Sequence, residues 1–433
     1  MKLLFLTLSL MLMLGGCALQ RGVVPVADLV NYVQDSSVYI ENMPSKSRLL
    51  ERQKHYEEHY FSPWKMRQPP ITRFEAKWAF RRYKAGESYG ENLLPIDASW
   101  FHTMVQQSNF NAYGSVNRYA ISRHFTHLRA FPTHKPLFSD PSQAGEGFPF
   151  DYMQNSGVHS NEPLLVSHYS KDGAWVYVFT SYASGWVRHR DIVLLTEAQT
   201  QAYKRNRFVH VIHDGTALRD ANGSFVTYGR VGMMLPYYDI NTTHYTVMVH
   251  NGSRFTAAAL PRQDAHSGPM LLRRENMTAL MNELLGKNYG WGGMYEERDC
   301  SSTLRDMFAS FGIWLPRNSS QQATIGKIIS LKGLNADQKR TRIIEQGVPF
   351  ETILYRRGHV LLYLGLFQGK IMVFHDTWGI RTVKDGVAGR KIVGKTVIST
   401  LELGKEQPDY DARYAHLKHL ESMNIMTQEA TTP

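Results

Sequence analysis

The chain predicts an α+β protein in four successive parts. Three observations carry that reading: a helix-patterned N-terminal stretch, two consecutive runs of short strands punctuated by turns, and a C-terminal segment mixing helices with long strands around a cysteine. At 433 residues, 43% of them hydrophobic and 12% aromatic, the chain can build more than one core.

The first 17 residues form a leader. After Met1-Lys2 a short apolar run ends in Leu14-Gly15-Gly16-Cys17. It matches the apolar part of a signal peptide and falls short of the roughly 20 residues that span a bilayer. The small pair before Cys17 resembles a bacterial lipoprotein box, which implies a membrane attachment through a lipid on Cys17. Ala18, where aspartate would mark inner-membrane retention, implies an outer-membrane lipoprotein facing the periplasm. With Cys17 consumed, Cys300 is the remaining one of 2 cysteines, so no intramolecular disulfide is possible. A lone thiol in an exported chain means intermolecular pairing or a reactive group.

Residues 18–112 read as a helical region or brace. Ser47 to Tyr60 and Thr72 to Tyr83 carry helical patterns, separated by the breaker Phe61-Ser62-Pro63-Trp64. From 113 to 197 short strands follow, at Pro163 to His168, Ala174 to Thr180, Gly185-Trp186-Val187 and Asp191-Ile192-Val193, with a hairpin turn at Ser170 to Gly173. This order resembles a bacterial SH3-type barrel. Residues 198–265, with turns at Asp214-Gly215 and Asn222-Gly223, resemble a second, more diverged barrel. His124, His127 and His134 have no carboxylate or cysteine at ligand spacing and are read as boundary histidines, so no metal site is expected.

Chemistry concentrates in 266–433. After Cys300 the apolar residues Leu304, Met307, Phe308 and Phe311 recur at helical spacing, with Asp299 placed as cap, so Cys300 opens a helix. The exposed N–H groups and dipole there favour a thiolate and predict a lowered thiol pKa. His359 and His375 lie on two strands joined through Leu366 to Gly369. A hairpin centred on Phe367 sets His359 opposite His375, whereas a slip of one residue separates their faces. Cysteine, histidine and a polar orienter make a nucleophile, a base and its positioning group, with the Cys300 N–H as oxyanion donor. A buried cysteine beside two packed histidines remains the alternative on these residues alone.

Tyr289-Gly290-Trp291-Gly292-Gly293, Asp299-Cys300-Ser301, Leu315 to Ser319 with Gln322, His359 to Gly365 and His375 together resemble the NlpC/P60 cell-wall peptidases, which are papain-like. The resemblance covers the C-terminal third. With the two barrels and the helical region it extends to the subgroup that cuts γ-D-glutamyl–diamino acid bonds in peptidoglycan stems. It implies Cys300 as nucleophile, His359 as base, His375 as third residue, and Tyr289 beside the nucleophile. It implies Asp299 and Ser319 as substrate-binding residues for the amino group of an N-terminal L-alanine, with an acidic residue, Glu146 or Asp151, and a tyrosine, Tyr182, as the first barrel's candidates for the same pocket. No cofactor is implied. Two departures stand out: Ser302 replaces a usual glycine, and the Gly-Asp turn before the histidine is replaced by Val348-Pro349-Phe350-Glu351 and Arg356-Arg357-Gly358.

The formal charge of +11 favours an anionic partner. No nucleic-acid signature is present, so peptidoglycan peptides and membrane head groups are the expected partners. A non-catalytic wall-binding lipoprotein, and an amidase or acyltransferase using the same triad, are the alternative functions.

Overall fold

The computed structural model describes residues 25–44 and 53–428. Cys17 and the first residues of the expected Ser47 helix lie outside them. Among the described residues no helix is long and apolar enough to cross a membrane.

Two β domains follow the N-terminal helices. The first holds strands Arg118–Ser122, Thr126–Arg129, Gln154–Val158, Pro163–Tyr169, Trp175–Phe179, Ser184–Arg188 and Ile192–Leu194. The second holds Arg207–Val211, Thr216–Asp220, Phe225–Gly229, Met234–Ile240, His244–His250, Phe255–Pro261 and Ala265–Ser267. Numbered within each domain, both sheets run in the same spatial order: third, second, sixth, fifth, fourth, first, seventh. The turns have the chemistry their sequences advertise: Gly173, Gly215 and Gly223 all adopt positive φ. Each domain closes on its own aliphatic core, Leu164, Val166, Val176 and Val187 in the first and Val209, Leu218, Leu235 and Val247 in the second.

The C-terminal domain is a six-stranded antiparallel sheet with helices Arg274–Leu284 and Cys300–Ala309 against it. Leu304, Met307, Phe308 and Phe311 are all fully buried and share one core with Val360, Leu362 and Phe374 from the sheet and Phe350 from the turn before it. At about 1.5–3 kcal/mol for each such side chain, this face fixes the helix that begins at Cys300.

The N-terminal segments act as staples. Gln34 both accepts from the Ile398 N–H and donates to its carbonyl, satisfying an outer strand of the sheet. Asp28 accepts from the Thr400 N–H and hydroxyl, and the Trp64 indole donates to the Ala120 carbonyl at 2.8 Å. The stretch Thr72 to Tyr83 is two short helices, Arg73–Ala76 and Trp78–Arg82, because Lys77 leaves the helical region at ψ 17°.

Candidate active site

Cys300 is the first residue of its helix, and Asp299 caps it. The Asp299 carboxylate accepts from the Ser302 N–H at 3.0 Å, and the Asp299 N–H donates to the Ser302 hydroxyl at 2.9 Å. The serine that departs from the family pattern thus completes a reciprocal cap. The backbone N–H of Val360 reaches the Cys300 sulfur, which places the thiol at the start of the strand His359–Phe367.

The two histidines meet, but through a register different from the expected one. The turn is Gln368-Gly369, both at positive φ, and Phe367 pairs with Lys370, Leu366 with Ile371 and Gly365 with Met372. Continued unbroken, that register would set His359 and His375 on opposite faces. A bulge at Leu364, with Gly365 at φ 92°, shifts the pairing to Tyr363 with Val373 and Leu362 with Phe374. The bulge restores the shared face, with the histidines diagonal rather than opposed. His359 Nε2 and His375 Nδ1 are 2.8 Å apart.

The chain of bonds sets the tautomers. Ser399 Oγ donates to the Thr400 carbonyl at 3.0 Å, so it accepts from His375 Nε2 at 3.0 Å. His375 Nδ1 then accepts from His359 Nε2, which leaves His359 Nδ1 as a free lone pair. Tyr289, Cys300 and His359 line one cleft of about 270 Å³.

Burial outweighs the helix dipole at the thiol. Desolvation, with the Asp299 carboxylate beside it, pushes Cys300 up to about 12, the reverse of the shift expected from its position at a helix start. Burial, His375, His416 and Arg356 hold His359 well below the ordinary imidazole range, and burial lowers His375 to about 3. Both shifts favour the neutral form, the thiol at Cys300 and the uncharged imidazole at His359. Burial and the neighbouring Asp299 also keep the Tyr289 hydroxyl protonated, a donor beside the thiol.

The remaining expected residues are placed as follows. Asp299 is buried and ion-paired to Arg317 at 2.6 Å, and its oxygens also accept from the Gly292 N–H, Ser301 and Ser302. Its lone pairs are occupied within the protein. Ser319 heads the short helix Ser319–Gln322 and does not line the cleft. Asp151 pairs with Arg129 at 2.7 Å, Glu146 accepts from the Tyr152 hydroxyl, and the Tyr182 ring lies 4.0 Å from the Arg305 guanidinium. From the first β domain it is Phe150 that reaches the cleft. His124 sits on Asp191, His127 on Gln154 and His134 on Arg188.

Three features were not legible beforehand. The glycine-rich stretch is an interdomain joint: a Cβ on Gly292 would stand 2.5 Å from the Gln154 carbonyl, and one on Gly293 2.5 Å from the Gly157 nitrogen. Trp291 donates to the Asp151 carbonyl at 3.0 Å across the same joint. His416, from a short helix near the end of the chain, stacks on His359 with centroids 5.5 Å apart. Among the described residues, His359, His375 and His416 form the one group whose ligating atoms gather within 4.8 Å. The third is the hairpin that replaces the expected Gly-Asp turn: Arg357-Gly358 lets Arg356 pair directly with His359.

Comparison with known proteins agrees with this layout. The family model described as NlpC/P60 family matches residues 286–397, and that of the NLPC_P60 stabilising domain, N term, matches 6–113. SH3 domain models of the SH3b1 and SH3b2 types match 136–188 and 197–240. No match is found among curated proteins. Among solved structures, a novel NlpC/P60 endopeptidase from Photobacterium damselae subsp. piscicida is 22% identical with a TM-score of 0.79, covering 94% of this chain and 99% of that one. An NlpC/P60 family protein from Bacillus cereus ATCC 10987 is 15% identical with a TM-score of 0.46, covering 71% of this chain and 98% of that one. The chain therefore carries an NlpC/P60 family domain behind two SH3b-type domains and an N-terminal NLPC_P60 stabilising domain.

Proposed function

We propose that the chain is a cysteine peptidase that hydrolyses the bond between γ-D-glutamate and the diamino acid of peptidoglycan stem peptides. The observation that carries it is a thiol at a helix start sharing one cleft with a histidine whose far nitrogen is tied at 2.8 Å to a second histidine. His359 Nδ1 takes the thiol proton as sulfur attacks the carbonyl carbon. The oxyanion meets the Cys300 N–H, and collapse breaks the C–N bond as His359 returns the proton to the leaving nitrogen. Water, deprotonated by the same nitrogen, then releases the acyl group. Because His359 resists protonation, its transient imidazolium is a strong acid toward the amine.

The lipid on Cys17, the outer-membrane address facing the periplasm and the preference for stems with a free N-terminal L-alanine belong to the same proposal. Free and N-blocked tripeptide stems, with products identified by mass, test the specificity. Faster cleavage of the free stem at the glutamyl–diamino acid bond is expected. Equal cleavage would remove the amine preference and leave the triad, and a cut elsewhere would remove the bond assignment.

A second reading, a wall-binding protein with an inert thiol, draws on the burial that raises Cys300 to about 12. Turnover of stem peptides that disappears on alkylation of Cys300 decides against it; binding of stem peptides with no turnover by the unaltered protein decides for it.

A further inference from the structure

The long hairpin beyond His375, strands Lys370–Lys384 and Val387–Thr400, sets Arg381 directly opposite Arg390. Like charges in that position destabilise a sheet, yet both side chains line the cleft that holds Cys300 and His359. Among the described residues each has one carboxylate near it, Asp411 for Arg381 and Glu146 for Arg390. Asp411, the acidic residue among those lining the cleft, is held by Arg413 at 2.8 and 2.9 Å and stands 3.6 Å from Arg381. The Arg381 guanidinium carbon lies 3.8 Å from the Tyr414 ring centroid, and its buried Nε faces Asp411 at 3.6 Å without reaching hydrogen-bond distance of any partner. Arg390 passes so close to Gly145 of the first β domain that a Cβ there would stand 2.2 Å from its guanidinium.

We propose that Arg381 and Arg390 form a carboxylate-binding subsite for an acidic peptide, resting on the peptidase reading above. Two guanidiniums side by side match a carboxylate through paired N–H donors, and the bound anion relieves their mutual repulsion. Arg381 lies six residues beyond His375 on the same face of its strand, roughly 20 Å along the backbone. The subsite therefore meets a carboxylate away from the scissile bond. Two carboxylates of a stem peptide lie beyond the scissile bond and share this chemistry, that of the diamino acid and the C-terminus, and the glutamyl α-carboxylate beside the cut serves as the control.

The test is calorimetric binding of a tetrapeptide stem to the full-length Cys300→Ser protein, with each carboxylate amidated in turn, repeated with Arg381→Gln and Arg390→Gln added. Amidation at one position is expected to weaken binding about tenfold or more, and each arginine change to weaken the unmodified peptide equally while erasing that sensitivity. Melting temperature should change little, because the repulsion removed offsets the contacts Arg381 loses with Tyr414 and Asp411. No amidation weakening the Cys300→Ser protein, or the same sensitivity persisting in both arginine variants, overturns the subsite. Catalysis plays no part in the readout, so absence of turnover by the unaltered enzyme would count against the peptidase reading alone.

Discussion

The two β domains share a strand order and have been put to different uses. The first presses the edge strand Gln154–Val158 onto the glycine-rich stretch beside Cys300 and lends Phe150 to the cleft. The second lends no side chain to the cleft. Its loops hold Arg298 by Asp214, at 2.6 and 2.9 Å, and by the Val231 carbonyl. Arg298 also bonds Asp306 at 2.7 Å, and His159 of the first domain lies 3.2 Å from the same carboxylate. One domain is thus a wall of the cleft and the other a buttress behind the nucleophile helix. An identical topology does not dictate a role; side chains on one edge do.

The largest effect is expected at the buttress. Arg298→Ala leaves Asp214 buried without its main partner, takes one of the cationic partners from Asp306, which keeps Arg305 and His159, and should cost about 3–5 kcal/mol in urea unfolding. A loss under about 1 kcal/mol would show the second domain to be loosely held.

Glu162 is the counterpart in the first domain. Its carboxyl is buried and raised to about 8, so the folded state favours the protonated form. That stability is complete below the unfolded carboxyl pKa and is lost as pH rises through about 8. Glu162→Gln should remove the decline and stabilise the protein by roughly 3 kcal/mol at pH 7. Asp299 runs the other way. Lowered to about 2 by Arg317, it supports the fold above the ordinary carboxylate range and fails as pH falls through that value.

A matched pair of glycines separates wall from buttress. Gly293→Ala and Gly232→Ala both force a Cβ at positive φ, against the Gly157 nitrogen at 2.5 Å and against Asp306 at 2.8 Å. Each should cost about 1–3 kcal/mol. Only Gly293→Ala should also lower kcat/KM, by about 100-fold, since it moves the wall. Equal losses of activity in both would erase the distinction.

The smallest effect concerns pH. With thiol and base both neutral, kcat/KM should stay flat between about pH 6 and 8, because His359 remains unprotonated and Cys300 remains a thiol throughout. A bell centred in that range would indicate a resting thiolate–imidazolium pair instead.

Local signals announced the nucleophile well. The Leu304, Met307, Phe308 and Phe311 spacing and the Asp299 cap placed Cys300 at a helix start, because those are interactions within a few residues. The histidine register was a different matter. Gln368-Gly369 makes the turn, and the bulge depends on Asn42, more than 300 residues away, which donates to the Leu364 and Leu366 carbonyls at 2.9 and 3.1 Å. No local pattern reports such a contact. His416 and Arg356 likewise enter the site through packing, and the Asp299 pairing with Arg317 depends on how a distant loop folds back. The raised thiol pKa has no local signal for the same reason: the dipole is a property of the helix, whereas burial belongs to the assembled domain.

The most direct test of the central claim is mass analysis of a defined L-alanyl-γ-D-glutamyl-diaminopimelyl-D-alanine stem after incubation with the parent and with Cys300→Ser. The parent should release L-alanyl-D-glutamate and diaminopimelyl-D-alanine, and Cys300→Ser should release neither. Equal release of both products by the two proteins would contradict a mechanism carried by Cys300.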